Sequence, residues 1–263
     1  VGSFLNVVIY RLPLQMQNSW RRDARDFLGQ EPVEAETKFS LVYPPSRCTK
    51  CETLIKPWHN IPIIGYLLLK GRCKSCAAPI SLQYPAVELI CGLLTVAVVY
   101  HFGFTAQAAF AVFFTWVLVA LTGIDVNHQL LPDNLTLPLL WLGLLVNMSA
   151  TFVPLADAVA GAVAGYMVLW LVYWAFKLIT GKEGMGHGDF KLLAALGAWL
   201  GWQQLPMIIL LSSAVGAIIG TAGILLYGRE RQAQIAFGPY LAIAGWIALV
   251  AGEEITRSYL QLF

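Results

Sequence analysis

The sequence predicts an all-α polytopic membrane protein with about eight transmembrane helices, and its composition and apolar runs predict it together. Of 263 residues, 58% are hydrophobic and 12% are charged. A water-soluble chain carries about 25% charged residues, so the solvent of much of this chain is not water. The apolar runs reach the length of about 20 residues that a helix needs to cross a bilayer core. A third observation sets one segment apart. Eleven of the 17 Lys and Arg fall between Arg11 and Tyr84 beside six acidic residues, so this stretch carries +5 while the whole chain carries +2. It reads as a water-exposed cytoplasmic loop domain over 11–84, set between the end of a first helix over 1–10 and a transmembrane domain over 85–263.

Each element follows in order. Val1 to Tyr10 is apolar and too short to span, and reads as the cytoplasmic half of a truncated first helix rather than a signal peptide. Ser19 to Thr37 mixes Arg, Asp and Glu and reads as a surface helix running into a linker. Spans are expected at 85–103, 106–126, 134–153, 157–180, 189–204, 206–227 and 237–252. Pro85 suits a helix start, and Asp133 and Asp157 stand where an N-cap is wanted. The 189–204 run is short and Lys191 interrupts it, so a re-entrant segment competes with a full span there. Basic residues mark cytoplasmic ends. With 11–84 inside, a full span at 189–204 puts Lys177, Lys182, Lys191, Arg229 and Arg231 on the cytoplasmic side, which favours the span. Gly161 and Gly165, Gly197 and Gly201, and Gly216 and Gly220 recur four apart, the spacing that lets helix backbones approach in a bilayer. The basic balance of the loop suits an anionic lipid surface. No basic helix or aromatic-basic interleave points to nucleic acid.

This topology brings two carboxylates to one side of the membrane, Asp125 at the end of one span and Asp189 at the start of another. Intramembrane carboxylates are costly and mark function, although a lone aspartate at a helix end is as readily a cap. A pair has specific chemistry. Two close carboxylates do not both ionise easily, so one keeps a proton. The ionised one then takes a proton from water while the neutral one polarises a peptide carbonyl, and the titration belongs to the pair. Asp189 stands in Gly186-His187-Gly188-Asp189, where flanking glycines allow close approach. Asp133 rivals Asp125 for the first role, and His128 and His187 read as surface histidines because carboxylates suffice.

In the loop, Cys48 and Cys51 form one CxxC pair and Cys73 and Cys76 another. Four thiolates so arranged make a closed structural zinc site. A redox dithiol is the alternative. His59 is not needed as a fifth ligand, and Cys91, inside a span, reads as a small buried residue. Zinc would supply folding energy that so small a loop lacks in apolar core.

Gly184-Met-Gly-His-Gly-Asp-Phe-Lys191 resembles the GxGD signature of type IV prepilin leader peptidases, which are polytopic aspartic peptidases. The region of Asp125 is similar to the motif carrying that family's first catalytic aspartate. The likeness extends to Gly2-Ser3-Phe4-Leu5-Asn6, to the cysteine loop, to Ser81 through Glu88 and to Phe237-Gly238-Pro239-Tyr240. By this resemblance Asp125 and Asp189 are the catalytic pair, with Gly186 and Gly188 as motif support. It implies a bacterial inner-membrane enzyme that cuts the leader from prepilins and pseudopilins and then methylates the new N-terminus with S-adenosylmethionine. No motif marks where that donor binds. His187 departs from the Tyr common at its position, and Ala236 from a Pro. Two other classes remain: a proton-coupled transporter using the same aspartates, and a zinc-stapled scaffold without chemistry.

Overall fold

The computed structural model describes residues 1–30, 40–182, 184–227 and 236–260. Among them the chain forms nine α-helices and no strand. They divide into two compact units, Val1–Val96 and Ala97–Phe263.

The first unit opens with α1 (Gly2–Phe27), which buries Leu5, Val8, Ile9 and Leu12 at helical spacing. The helix does not stop at Tyr10. It runs through Pro13 to Phe27, so the expected surface helix is its continuation. The part of the expected linker that reaches Thr37 lies outside the described residues. Arg11 pins the returning chain, donating to the carbonyls of Ser40 at 3.0 Å and Pro44 at 2.6 Å. Asn6 donates to the Tyr84 carbonyl at 3.0 Å. A short α2 (Ile64–Leu68) follows, and α3 (Gln83–Phe102) starts with Ser81 Oγ accepting from the Gln83 N–H at 3.2 Å.

The second unit holds α4 (Ala106–His128), α5 (Asp133–Val146), α6 (Leu155–Thr180), α7 (His187–Leu200), α8 (Leu205–Tyr227) and α9 (Gly238–Leu260). Thr105 caps α4 by accepting from the Ala108 N–H. Gly181 closes α6 in the left-handed conformation that favours glycine. The two aspartates expected as N-caps are not caps. Pro132 and Pro154 occupy those positions. Asp133 is the first helical residue of α5, and Asp157 in the first turn of α6 accepts from Trp202 Nε1 at 3.2 Å.

Among the described residues four stretches are long and apolar enough to cross a membrane: Gln83–Phe102, Ala106–His128, Leu155–Thr180 and Trp202–Gly223. The expected count of about eight is not confirmed. Helices α5 and α7 have 14 residues each and rise about 21 Å, short of a core of about 30 Å. α7 is instead wrapped by protein. It packs on α5, α6 and α9, and every residue from Asp189 to Leu200 except Lys191 is buried. Its approach to α6 is backbone on backbone: a Cβ on Gly161 would run into Gly197, and one on Gly197 into Gly161. At its far end Asn147, fully buried, donates to the carbonyls of Ala198 and Trp199 at 2.9 and 3.1 Å and accepts from the N–H groups of Phe152 and Val153. These bonds satisfy carbonyls that a helix end otherwise leaves open. They also turn the chain at Val146, which is why α5 falls short of the expected 153. Arg229 and Arg231, read as cytoplasmic markers, lie outside the described residues.

Candidate active site and metal centre

Asp125 lies in the last turn of α4 and Asp189 in the first turn of α7, only 5% and 6% exposed. Both belong to the second unit, and the Asp125 carboxylate is close enough to act on the charge of Asp189. Helix-start chemistry fixes Asp189. Gly186 is the N-cap, and its carbonyl accepts from the Asp189 N–H at 3.2 Å. Asp189 is the third helical residue of α7, where negative charge suits the helix start.

Asp125 is held more sparsely. The backbone of Gly238, at the start of α9, closes on its carboxylate. Its Oδ2 is buried without a hydrogen-bond partner among the described residues. A buried, unsatisfied carboxylate oxygen is rare in a folded protein and calls for an explanation, such as a proton, water or ligand it is built to meet.

Two glycines make room for this arrangement. A Cβ on Gly238 would lie 2.6 Å from Asp125 Oδ2 and 3.0 Å from Leu131 Cδ1, and one on Gly188 would lie 2.7 Å from Leu131 Cβ. Leu131, in the connection between α4 and α5, therefore packs against both glycines beside the aspartates. Gly186 is freer, since a Cβ there would reach Asp189 Oδ2 only at 3.8 Å. Asp133 stands apart in chemistry, with both its oxygens engaged by Lys191. His187 is exposed, and its ring leans at a tilt on Tyr173 and Phe190 with centroids 5.2 and 5.3 Å away. An aromatic Tyr would fill that slot too, so the departure at this position keeps the contact. Sequence reasoning missed Leu131. Gly238 carried only a likeness and no role.

In the first unit the four cysteines converge. Cys48 Sγ lies 3.8 Å from Cys76 Sγ, Cys51 Sγ lies 3.9 Å from Cys73 Sγ, and all four sulfurs fall within 4.8 Å of one another. Tetrahedral thiolates at about 2.3 Å from one ion stand about 3.8 Å apart, so the set fits a metal ion. The two CxxC segments also repeat each other in backbone. The Cys48 N–H donates to Thr53 O and the Cys73 N–H to Ala78 O. The residue after each pair, Glu52 and Ala77, takes a φ of 56°. Antiparallel bridges join Arg47 to Leu54 and Arg72 to Pro79. The Thr53 hydroxyl, 3.3 Å from Cys51 Sγ, holds that thiol below its ordinary range. That favours the thiolate, which is the metal ligand.

The fold and the two sites define a polytopic helical membrane protein with two buried carboxylates and four cysteines placed to hold a metal ion. Two domain families match: the bacterial peptidase A24 N-terminal domain over residues 1–102, and the type IV leader peptidase family over residues 112–221. Proteins named prepilin leader peptidase/N-methyltransferase are similar along nearly the whole chain. That of Stutzerimonas stutzeri is 58% identical and that of Pseudomonas aeruginosa 57%, each over 261 residues, covering 99% of this chain and 90% of the relative. That of Legionella pneumophila is 46% identical over 260 residues, covering 99% of this chain and 91% of the relative. The chain belongs to the type IV leader peptidase family and is an enzyme. No solved structure matches it. The transporter reading gains no support from these relatives.

Proposed function

We propose that this chain is a membrane aspartic endopeptidase that removes the leader from type IV prepilins and prepilin-like secretion subunits and then N-methylates the new N-terminus. Asp125 and Asp189 carry the cleavage. The observation behind this reading is the buried, unpartnered Oδ2 of Asp125 beside the charge of Asp189. Two buried carboxylates in one field share a proton. The ionised member takes a proton from a water, whose oxygen attacks the scissile carbonyl carbon. The protonated member gives its proton to the carbonyl oxygen. Collapse of the tetrahedral intermediate breaks the C–N bond: one of its hydroxyls returns a proton to the pair as the carbonyl re-forms, and the leaving amine takes a proton from the pair. Gly186 orients Asp189, and Gly238 orients Asp125.

The ion on Cys48, Cys51, Cys73 and Cys76 is zinc, and it is structural. Four thiolates leave no open position on a tetrahedral ion, so it would staple the two CxxC turns without taking part in hydrolysis. The methyl donor is S-adenosylmethionine. The protein sits in a bacterial inner membrane with the loop and the aspartates at its cytoplasmic face, which the basic residues of 11–84 support.

The deciding experiment incubates purified protein with a prepilin peptide and follows the cut by mass spectrometry. Wild type yields a shortened chain, and Asp125→Asn and Asp189→Asn each yield none while still inserting in membranes. Full cleavage by either variant would remove the carboxylate mechanism.

A further inference from the structure

The loop of the first unit presents an apolar surface that neither the aspartates nor the metal centre uses. Helix α2 packs on a 3₁₀ turn over Pro57–Asn60. Gly65, the buried residue of α2, lets the two close, since a Cβ there would run into the His59 carbonyl. The other side of α2 carries Ile64, Leu67 and Leu68, which share one face at helical spacing. Trp58 and Ile61 precede them at intervals of three. All five are between 44% and 68% exposed. So many large apolar side chains left open in so short a segment mark a surface that meets a partner or a membrane.

Two contacts fix the level of this surface against the spanning helix α3. The Ile63 N–H donates to Glu88 Oε2 at 2.7 Å, and the Ser3 hydroxyl donates to Asn60 Oδ1 at 3.1 Å. Ile63 takes a φ of 61° and a ψ of −50°, which is costly for a β-branched residue and persists only where the surroundings hold it. Gly2 lets α1 close at the same place, since a Cβ there would stand 2.9 Å from Glu88 Cα. Glu88 is the sixth residue of α3, about 8 Å from its start. The 20 residues of α3 rise about 30 Å, the thickness of a bilayer core. The segment is therefore held at the level where α3 enters the bilayer. On α3 itself Leu89, Ile90 and Leu93 are exposed, as side chains facing lipid are.

Charge frames the surface. Lys56 and Lys70 stand just outside its two ends, both exposed, and Lys56 Nζ lies 5.3 Å from the centroid of the Trp58 ring. No Asp or Glu falls between Glu52 and Glu88. Lys50, Arg72 and Lys74 adjoin the cysteines in sequence, where they offset the charge of four thiolates. That leaves Lys56 and Lys70 to the apolar segment.

We propose that Trp58, Ile61, Ile64, Leu67 and Leu68 form a foot that dips into the bilayer face where α3 enters, with Lys56 and Lys70 on the phosphates of anionic lipid. Tryptophan suits that depth, with its ring at the headgroups. A lysine there lays its stem along apolar surface and keeps its ammonium among the headgroups. Attachment of this kind scales with buried apolar area and with charge. The tether through α1 and α3 makes it intramolecular, so a small patch suffices. Lipid is favoured over a protein partner for two reasons. The bilayer already stands against α3, one hydrogen bond away from Ile63, and anionic headgroups match a rim of cations without acids. The inference stands on α3 as a span and is independent of the cleavage and methyl-transfer readings.

The test reconstitutes the metal-loaded full chain in vesicles of phosphatidylcholine mixed with phosphatidylglycerol. A trace of phospholipid carries a diazirine on its acyl chain near the headgroup, and mass spectrometry maps the label after illumination. Wild type takes label in 58–68 as well as along α3. Leu67→Glu with Leu68→Glu puts charge into the foot and loses the label in 58–68, while α3 keeps its own. Each Lys near an anionic surface favours attachment about fivefold. Label in 58–68 therefore drops at least about fivefold for Lys56→Gln with Lys70→Gln, and for wild type in phosphatidylcholine alone. Metal content per chain, read on each variant, shows that the loop is folded. Wild type labelled on α3 and bare in 58–68 overturns the proposal. So does label there that survives the two Leu→Glu changes, or that is equal in both kinds of vesicle. Wild-type label lost when several chains share a vesicle gives the surface to a second copy, and label lost on adding a prepilin peptide gives it to the substrate. Either outcome rejects lipid as the occupant. An unlabelled α3 removes the span on which the inference stands, and leaves the cleavage reading to its own experiment.

Discussion

Lys191 closes a two-pronged ion pair on Asp133, its Nζ lying 2.6 Å from Oδ1 and 2.8 Å from Oδ2. The pair ties the start of α7 to the start of α5 and settles both oxygens of the carboxylate that rivals Asp125 in sequence. Asp133 is half exposed, and such surface pairs contribute about 0–1 kcal/mol. Asp133→Asn is therefore expected to keep leader cleavage within about tenfold, whereas Asp125→Asn or Asp189→Asn loses at least the 10²–10⁴-fold, roughly, of a missing acid or base. Cleavage rates on one prepilin peptide separate them. A loss in Asp133→Asn as deep as in Asp189→Asn would put Asp133 in the chemistry.

The glycines beside the aspartates should fail in different ways. Gly188→Ala meets the Leu131 side chain, while Gly238→Ala meets Asp125 Oδ2 as well as Leu131. Displacing a catalytic group by about 1 Å can cost about 10²-fold in rate, and both variants are expected to lose cleavage on that scale. Adding Leu131→Gly removes the Cβ that Gly188→Ala meets and restores Gly188→Ala. It does nothing for the carboxylate contact in Gly238→Ala. Rates for the two double variants check this, and equal rescue would mean that Leu131 alone sets both positions.

Metal is expected at about one ion per chain, and Cys48→Ser with Cys51→Ser removes it. Each CxxC turn carries a positive-φ residue, Glu52 or Ala77, and few apolar side chains are buried around them. The turns then depend on the ion for their fold. Elemental analysis together with limited proteolysis should show metal loss and new cuts between 46 and 81. Intact proteolytic resistance in the metal-free variant would show that the loop folds unaided.

The long apolar runs were legible because length and hydropathy mark a helix that meets lipid. The expected starts at 106 and 206 fall within one residue of α4 and α8. The run at 189–204 carries the same signal for a different reason. A helix surrounded by protein is as apolar all round as one surrounded by lipid, and α7 is of the first kind. The cysteine spacing and Gly186-His187-Gly188-Asp189 could be picked out as candidates directly, because each is local in sequence. Asn147, Leu131 and the Glu88 contact to Ile63 were not legible. Each acts on a partner far along the chain, and nothing in its own neighbourhood announces the bond. The end of α1 was misplaced because the apolar run gives way to a polar segment at Arg11. The Arg11 guanidinium is instead held by carbonyls of the returning loop, and the helix runs on past Pro13.

The recurring small residues give a final, graded expectation. Gly161 and Gly197 bring the backbones of α6 and α7 together, and Gly165 lies against Leu193, where an added Cβ would be 2.6 Å from the carbonyl oxygen. Backbone does not give way, so an added methyl must push the helices apart. Overpacking of this kind costs about 1–3 kcal/mol. Gly216 differs, since its Cβ would meet the ring of Tyr240 at 3.2 Å, and a side chain can turn aside. Gly161→Ala and Gly197→Ala are expected to lower the unfolding midpoint in detergent clearly, and Gly216→Ala to leave it almost unchanged. Because α7 carries Asp189, the first two should also lose cleavage below their melting range, where the protein is still folded. Normal cleavage there would show that α7 can shift on α6 without moving its aspartate.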